Sequence, residues 1–417
     1  MSNKGRDGIA DLTLGFIPLV DAAPLVVAKE KGFAAAEGLE LKLARETSWA
    51  NIRDRVMLGH FDAAHMLGPM PIASTLGLGH VEVPMIAPFS LGLGGNAITL
   101  APTLFARMEE EGADLDAGPA TIGAALAKVV AKWPAAGQAP LTLAVVHPFS
   151  GHNYELRYWL AAAGIDPDRD IRLVVLPPPF MVDAIQEGQI DGFCVGEPWN
   201  SLAVEAGVGV IAVTKSTLWR QGPEKVLGLR ADFAERTPDR LAALLRALHG
   251  AARWAGDAGN RGELARILAA PDYLDRPPEI IGQALSGVLV RRRHEAAAEI
   301  PDFLVFHDHA ANFPWASHAL WFYSQMVRWG QVDYSTALAQ RVGHVYRPDL
   351  YRAALADTGI DLPRASAKVE GALRQATPVA SRHGTMVLGP DGFFDGRLFD
   401  PDDIEGYLRS FRVSASG

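Results

Sequence analysis

One strand-to-helix turn constrains the fold of this chain more than any other stretch. The apolar run 141–146 has the length of a buried strand, and a helix with an apolar face through Trp159 follows it. Ser150, Gly151 and His152 lie between the two elements. Because the first N–H groups of a helix are unpaired and carry partial positive charge, they bind small anions. The turn therefore predicts an anion site, and the alternative is an ordinary capped turn with His152 exposed.

The composition limits what such a site can serve. With 417 residues, of which 49% are hydrophobic and 21% charged, the chain is long enough for two globular lobes with their own cores. The net charge of −9 argues against a nucleic-acid-binding surface, so local donors must attract the anion. The single cysteine, Cys194, excludes an internal disulfide. It lies in an apolar run with no adjacent base, which predicts an inert buried thiol.

The N-terminal segment bears on the location of the protein. Residues 1–8 contain two basic side chains but no apolar stretch typical of an export signal. No uninterrupted apolar run of about 18 residues occurs in the sequence, so we expect no membrane span. These features predict a cytoplasmic protein.

Strand-like runs alternate with helices over residues 12–100, as in an α/β layer. Asp21 is expected to cap the first helix, and Trp49 follows a strand-to-helix connection, where open sheets bind ligands. The glycine-rich stretch 84–100 does not match a dinucleotide-binding loop, because Asn96 begins another strand where that motif requires a helix. The expected division is residues 9–100 for the first part of lobe 1, 101–212 for lobe 2, and 213–417 for the return to lobe 1 with a helical C-terminal region.

A group of histidines near residue 310 raises the alternative of a metal site. His307 and His309 flank Asp308, and His318 follows them. Transition metals take imidazole and carboxylate ligands, but two histidines at this spacing on a loop do not make a closed site. We therefore expect no bound metal and no cofactor.

Eight short segments, spread over nearly the whole chain, carry a family pattern. They are residues 47–49, 68–71, 151–153, 157–162, 177–179, 192–200, 223–228 and 312–315. In this order they resemble the nitrate/bicarbonate solute-binding proteins of ABC transporters. The resemblance implies a type II periplasmic-binding-protein fold, in which two α/β lobes are joined by two crossovers and followed by a largely helical C-terminal region.

The resemblance also implies the residues of the site. In that family a tryptophan, an amide side chain, a histidine and a lysine contact the oxyanion in the cleft between the lobes. The matching positions are Trp49, Asn96, His152 and Lys225, with Gly151 beside the histidine. Asn96 departs from the family's glutamine and is shorter by one methylene group. We expect Trp49, Asn96 and Lys225 to belong to one lobe and His152 to the other.

The chemistry of nitrate agrees with this set of residues. Nitrate is flat, carries one negative charge and only accepts hydrogen bonds, so it requires an aromatic wall, neutral donors and one fixed cation. The resemblance implies that a histidine at His152 favours nitrate or nitrite over bicarbonate. The bicarbonate binders carry a different side chain there and can use a calcium ion.

We expect this protein to bind its ligand without catalysis. It resembles the family's cytoplasmic nitrate/nitrite-sensor branch, whose members hold an RNA-binding transcription antiterminator for nitrate assimilation inactive until the ligand arrives. The expected partners are nitrate or nitrite and that antiterminator, with no direct contact to nucleic acid. The alternatives are the solute-binding component of a nitrate or bicarbonate ABC transporter, and an enzyme on the same scaffold. For the enzyme, the sequence offers no nucleophile–base pair.

Overall fold

The computed structural model describes residues 10–79, 81–133 and 139–411. The N-terminal segment 1–8, on which the predicted location depends, lies outside the described residues. Across the described ranges, no helix combines the length and the apolarity that are needed to cross a membrane.

The strands of the described ranges are numbered in chain order. They are β1 (Ala10–Phe16), β2 (Leu39–Arg45), β3 (Ala63–Leu67), β4 (Met85–Ser90), β5 (Leu93–Gly94), β6 (Asn96–Leu100), β7 (Thr142–Val145), β8 (Arg172–Val175), β9 (Gly192–Gly196), β10 (Val210–Thr214), β11 (Lys225–Arg230), β12 (Val288–Leu289), β13 (Ala298–Glu299), β14 (Leu304–Val305), β15 (Thr377–Ala380) and β16 (Thr385–Leu388).

The helices of the same ranges are numbered in the same way. They are α1 (Ala23–Glu30), α2 (Phe33–Ala36), α3 (Trp49–Met57), α4 (Pro69–Thr75), α5 (Pro102–Glu110), α6 (Gly118–Lys132), α7 (Gly151–Ala162), α8 (Met181–Gln186), α9 (Trp199–Glu205), α10 (Lys215–Leu218), α11 (Ala231–Arg236), α12 (Pro238–Gly256), α13 (Arg261–Leu268), α14 (Pro278–Ser286), α15 (Ala316–Arg328), α16 (Thr336–Gly343), α17 (Pro348–Ala354) and α18 (Ile404–Arg409).

The first lobe is built on a sheet with the strand order β2-β1-β3-β11-β4. β1 is parallel to β2 and β3, whereas β11 runs antiparallel to β3 and β4. β11 follows the whole second lobe in the chain, so the first sheet is complete only when the chain returns. Leu14 of β1, Leu227 of β11 and Leu244 of α12 are fully buried in the core that covers this sheet.

The second lobe is built on a sheet with the strand order β10-β6-β9-β7-β8. β7 confirms the strand predicted before the 150–152 turn, and it is parallel to β8 and β9. β6 runs antiparallel to β9 and β10, so Asn96 lies in the second lobe and its predicted place in the first lobe is wrong. The apolar run of β6 predicts a strand, but it contains no information about which sheet the strand joins.

The C-terminal region is largely helical, as expected, and it contacts both lobes. α12 packs against α1 of the first lobe. In α7 of the second lobe, the Tyr154 hydroxyl donates to Gln331 Oε1 at 2.6 Å, and the Tyr158 hydroxyl donates to Asp395 Oδ2 at 2.8 Å. The C-terminal region therefore contacts the first lobe through α1 and the second lobe through the face of α7 that carries these tyrosines.

A matched pair of leucines tests the first-lobe core. Leu14 is fully buried, whereas Leu58 is 69% exposed. Leu14→Ala removes apolar contacts and leaves a cavity, so we expect it to lower the free energy of unfolding by about 2–5 kcal/mol. Leu58→Ala should change it by less than about 0.5 kcal/mol. Urea unfolding followed by circular dichroism measures both, and equal shifts in midpoint would contradict the assigned core.

Candidate anion-binding site

The structure brings Trp49 and Lys225 together at the edge of the first lobe. Trp49 begins α3, and Ser48 caps this helix by accepting a hydrogen bond from the N–H of Asn51 at 3.2 Å. Lys225 begins β11, and its Nζ lies 5.5 Å from the centroid of the Trp49 ring. Both side chains are buried. The pair has the geometry of a cation–π interaction in the protein interior.

Gly151 and His152 lie at the N-terminus of α7 on the second lobe. Ser150 caps this helix, because its hydroxyl accepts a hydrogen bond from the N–H of Asn153 at 3.0 Å. The His152 side chain is fully buried, so the alternative with an exposed histidine is wrong. Burial lowers the pKa of His152 to about 3, against the opposing effect of Glu224, so the imidazole is neutral at neutral pH.

Glu224, which was not predicted as a site residue, joins the two halves of the site. Its Oε1 lies 2.8 Å from Lys225 Nζ and 3.6 Å from His152 Nδ1. Its Oε2 lies 2.9 Å from Lys215 Nζ. Burial raises the pKa of Glu224, but the two lysines outweigh burial and hold this pKa well below its ordinary value. Glu224 is therefore an ionised carboxylate that connects β11 to α7.

The two buried lysines differ in the number of N–H donors that remain for a ligand. Lys215 Nζ donates to Glu155, to Glu224 and to a backbone carbonyl oxygen at 2.6 Å. These contacts use all three N–H groups of an ammonium ion. Lys225 Nζ donates to Glu224 Oε1 at 2.8 Å and forms an ion pair with Asp21 Oδ2 at 2.9 Å, so at least one N–H remains. Lys225 is therefore the cation that can donate to a ligand.

Asp21 holds Lys225 from the first lobe. It does not cap α1 as predicted, because it lies in a 3-10 turn before the helix, and the N-cap residue is Ala22. The Asp21 Oδ1 atom lies 2.9 Å from His65 Nε2, while Oδ2 contacts Lys225. Burial raises the pKa of Asp21, but Lys225 and His65 outweigh burial and lower it to about 2. The ionised carboxylate fixes the direction of the ammonium group.

Asn96 brings the predicted amide into the site from the first position of β6. Its Nδ2 lies 3.5 Å from Glu155 Oε2, and its Oδ1 has no hydrogen-bond partner among the described residues. Burial raises the pKa of Glu155, although Lys215 acts in the opposite direction. The amide therefore belongs to the same half of the site as His152.

Several polar groups lie in this region without hydrogen-bond partners inside the described ranges. Trp49 Nε1 and both ring nitrogens of His152 are buried and make no hydrogen bond there. Since buried polar atoms are normally paired, unpaired ones on facing elements indicate the position of a ligand. Together with the remaining N–H of Lys225, these groups suit a small, flat anion that accepts hydrogen bonds.

Other buried polar side chains of the site were not predicted. They are Asp21, His65, Glu155, Lys215 and Glu224. The sequence contains a local indication for two of them. Glu224 directly precedes Lys225. Glu155 follows His152 by three positions, which places Glu155 and His152 on one face of the same helix. His65 and Lys215 lie in or beside apolar strands, and no local pattern identifies their partners.

Neither the histidine group nor the cysteine forms a reactive centre in the described part of the chain. Within that part, no group of three or more histidine, cysteine, aspartate or glutamate side chains has the arrangement of a metal site. His307 Nδ1 lies 3.1 Å from Asn312 Oδ1, while His318 Nε2 lies 3.4 Å from Glu370 Oε1. Cys194 is buried, and burial raises the pKa of its thiol.

Comparisons with known proteins agree with this geometry. Residues 7–269 match the NMT1-like family. Over 415 residues the chain is 35% identical to the nitrate/nitrite binding protein NrtA of Synechococcus elongatus. This alignment covers 98% of this chain and 87% of that protein. The chain belongs to the NMT1-like family. The predicted resemblance to nitrate/bicarbonate solute-binding proteins of ABC transporters is confirmed.

A solved structure of this family confirms the fold. The periplasmic nitrate-binding protein NrtA from Synechocystis PCC 6803 matches with a TM-score of 0.84 and 32% identity. The match covers 97% of this chain and 99% of that chain. The predicted periplasmic-binding-protein architecture of two α/β lobes is therefore correct.

Other relatives of this chain are named for different functions and different anions. The nitrate import ATP-binding protein NrtC of Synechocystis is 38% identical over 415 residues, covering 99% of this chain. This chain spans 57% of the length of that relative. The bicarbonate-binding protein CmpA of Synechococcus is 30% identical over 427 residues, covering 97% of this chain and 87% of that protein. Membership of the family therefore leaves the choice between nitrate and bicarbonate to the residues of the site.

Gly151 provides a direct test of the site. A Cβ atom at this position would overlap Glu224 Oε2 and lie 3.2 Å from Glu155 Oε1. Since Lys215 and Lys225 hold Glu224, the carboxylate can move only by breaking buried ion pairs. We expect Gly151→Ala to weaken anion binding by about 1–3 kcal/mol in calorimetric titrations.

Gly282 is the matched control for this substitution. It lies in α14, and a Cβ atom there would meet no heavy atom within 4 Å. Gly282→Ala should therefore leave the affinity for the anion unchanged. If both variants bind the anion as the unmodified protein does, the close approach of α7 to Glu224 has no role in binding.

Proposed function

We propose that this protein captures nitrate or nitrite between its two lobes as the solute-binding component of an ABC importer. One observation carries the proposal: the unpaired indole N–H of Trp49, the unpaired ring nitrogens of His152 and the ammonium group of Lys225 lie close together in the interior. Nitrate and nitrite are singly charged and only accept hydrogen bonds, so these donors match them. The nitrate-binding relatives of the NrtA type support the proposal.

The site is divided between the lobes in a way that couples binding to closure. Trp49 and Lys225 come from the first lobe, whereas Asn96 and His152 come from the second. An anion that contacts all four can do so only when the lobes are close together. Its binding energy therefore favours the closed form over an open one, as differential contacts require.

Binding without catalysis follows from the state of the charged groups. Lys215, Glu155 and Glu224 are held in buried ion pairs, which leaves none of them available as a general base. Burial favours the protonated, unreactive form of the Cys194 thiol. The relative NrtA of Synechococcus elongatus is named for binding nitrate and nitrite, which supports a binding role.

The sensor function that the sequence suggested stays a prediction. It requires a cytoplasmic protein and a ligand-released complex with an RNA-binding antiterminator. The relatives are instead named for nitrate or bicarbonate binding and for nitrate import, so they favour the importer alternative.

The two roles differ in where the protein must be. A solute-binding component that delivers its ligand to an importer has to meet the ligand outside the cytoplasm. We therefore expect cell fractionation with an antibody against this chain to recover it outside the cytoplasmic fraction, with a cytoplasmic enzyme as the marker. Recovery with that marker would contradict the importer proposal and favour the predicted cytoplasmic sensor.

Calorimetric titration with nitrate, nitrite, bicarbonate and sulfate tests the ligand. We expect one anion per chain, with nitrate or nitrite bound more tightly than bicarbonate, because Trp49 Nε1 and Lys225 Nζ are donors and one oxygen of bicarbonate carries a hydrogen. Sulfate should bind weakly, since a second negative charge has no cation to pair with. Tightest binding of bicarbonate would contradict the proposal.

Lys225→Ala is the variant that completes this test. It removes the only ammonium N–H assigned to the ligand within the described residues, so nitrate binding should weaken by about 2–5 kcal/mol. Lys42→Ala, at a lysine exposed on the surface, is the matched control and should bind normally. Circular dichroism verifies that both variants are folded. Near-normal affinity in folded Lys225→Ala would remove Lys225 from the site.

A further inference from the structure

His152 is placed between two groups that both require a hydrogen-bond donor. Its Nδ1 lies 3.6 Å from Glu224 Oε1, which is beyond hydrogen-bond distance, but the negative charge of the carboxylate favours the tautomer with the hydrogen on Nδ1. A neutral imidazole has one N–H, which leaves Nε2 as an acceptor. Nitrate and nitrite are acceptors as well. A neutral His152 with its hydrogen on Nδ1 therefore has no second N–H to donate to the anion.

The charges around His152 provide no excess of positive charge for an anion. Lys215 and Lys225 face three carboxyl groups, which belong to Asp21, Glu155 and Glu224. All five side chains are buried. An added anion would increase the negative charge in an interior that screens charge poorly.

We propose that His152 takes up a proton when the anion binds, so that the cleft captures nitrate or nitrite together with one proton. This inference rests on the proposed function of the cleft. The imidazolium ion has two N–H donors, one directed at Glu224 and the other available to the anion. The proton comes from the solvent, and the only new covalent bond is the second N–H of the ring.

The other titratable groups that face His152 are less suited to take the proton. Burial raises the pKa of Glu224 and Asp21, but their cationic neighbours outweigh burial and hold both pKa values below the ordinary range. Burial raises the pKa of Glu155, which makes Glu155 the competing site for the proton, but its protonation would weaken the buried ion pair with Lys215. His152, in contrast, makes no hydrogen bond within the described part of the chain.

The direction of the pH dependence follows from linkage. Without the anion, burial lowers the pKa of His152 to about 3, and an adjacent negative charge raises it. The proton-linked part of the affinity is fully present below the lower pKa and is lost as pH rises through the higher, anion-bound pKa. Between the two values, the Kd for nitrate should increase by about tenfold per pH unit.

Calorimetry counts the proton directly. Nitrate is titrated into the protein at about pH 6 in buffers with different ionisation enthalpies. The observed binding enthalpy is plotted against the ionisation enthalpy of the buffer, and the slope of this line gives the number of protons taken up per anion. We expect a slope approaching one proton for the unmodified protein. Nitrite, which also only accepts hydrogen bonds, should give the same slope.

Two histidine variants assign the proton to a residue. His152→Gln keeps a side-chain N–H donor but cannot titrate, so it should bind nitrate with a slope near zero and a Kd that does not change with pH. His249 is the matched control, because it is buried in α12 outside the cleft and burial lowers its pKa to about 3 as well. His249→Gln should keep the slope of the unmodified protein.

Glu224→Gln provides a second test that does not change the histidine. The neutral amide no longer favours an imidazolium ion beside it, so fewer protons should be taken up at the same pH. Circular dichroism verifies the fold of each variant before titration.

The outcomes separate this inference from the proposed function. Nitrate binding by the unmodified protein with a slope near zero would overturn proton uptake and leave the proposed function intact. Absence of nitrate binding would overturn both. A His152→Gln variant that retains the slope would assign the proton to another group and overturn the role of His152.

Discussion

Buried ion pairs between two lysines and three carboxylates are the interaction on which the rest of the site depends. Lys215 and Lys225 are paired with Asp21, Glu155 and Glu224, and all of these groups are buried. Removing one partner from such a pair leaves an uncompensated charge and costs about 3–5 kcal/mol. Because the groups come from both lobes, the network can form only when the lobes are correctly placed.

The two lysines of this network have different roles. Lys215 uses all its donors within the protein and joins the second lobe to Glu224. Lys225 is oriented by Asp21 and Glu224 and keeps one donor for the ligand. An acidic protein with a net charge of −9 thereby presents a directed ammonium group to an anion without a surrounding positive surface. Selectivity then depends on directed hydrogen bonds rather than on total charge.

The NMT1-like family shows how one fold accommodates related anions. Relatives named for nitrate and for bicarbonate align over nearly all of this chain, so the scaffold itself does not select the ligand. The discriminating chemistry lies in whether buried groups donate or accept. In the site proposed for this chain, His152 lies 3.6 Å from Glu224, and the protonation of its imidazole ring determines whether the ring donates or accepts.

The sequence by itself determined the local elements and the family, because caps, apolar periodicity and turn residues act over a few positions. Ser150 before α7 and Ser48 before α3 are such signals, and they place Gly151, His152 and Trp49 at the start of their helices. Only the tertiary structure decided that Asn96 lies in the second lobe and that Asp21 binds Lys225 instead of capping a helix. These outcomes depend on strand pairing and on buried charges that meet from distant parts of the chain, as Lys215 and Glu155 do across 60 positions. No local pattern carries that information, since a strand or a charged side chain has the same sequence whichever partner it finds.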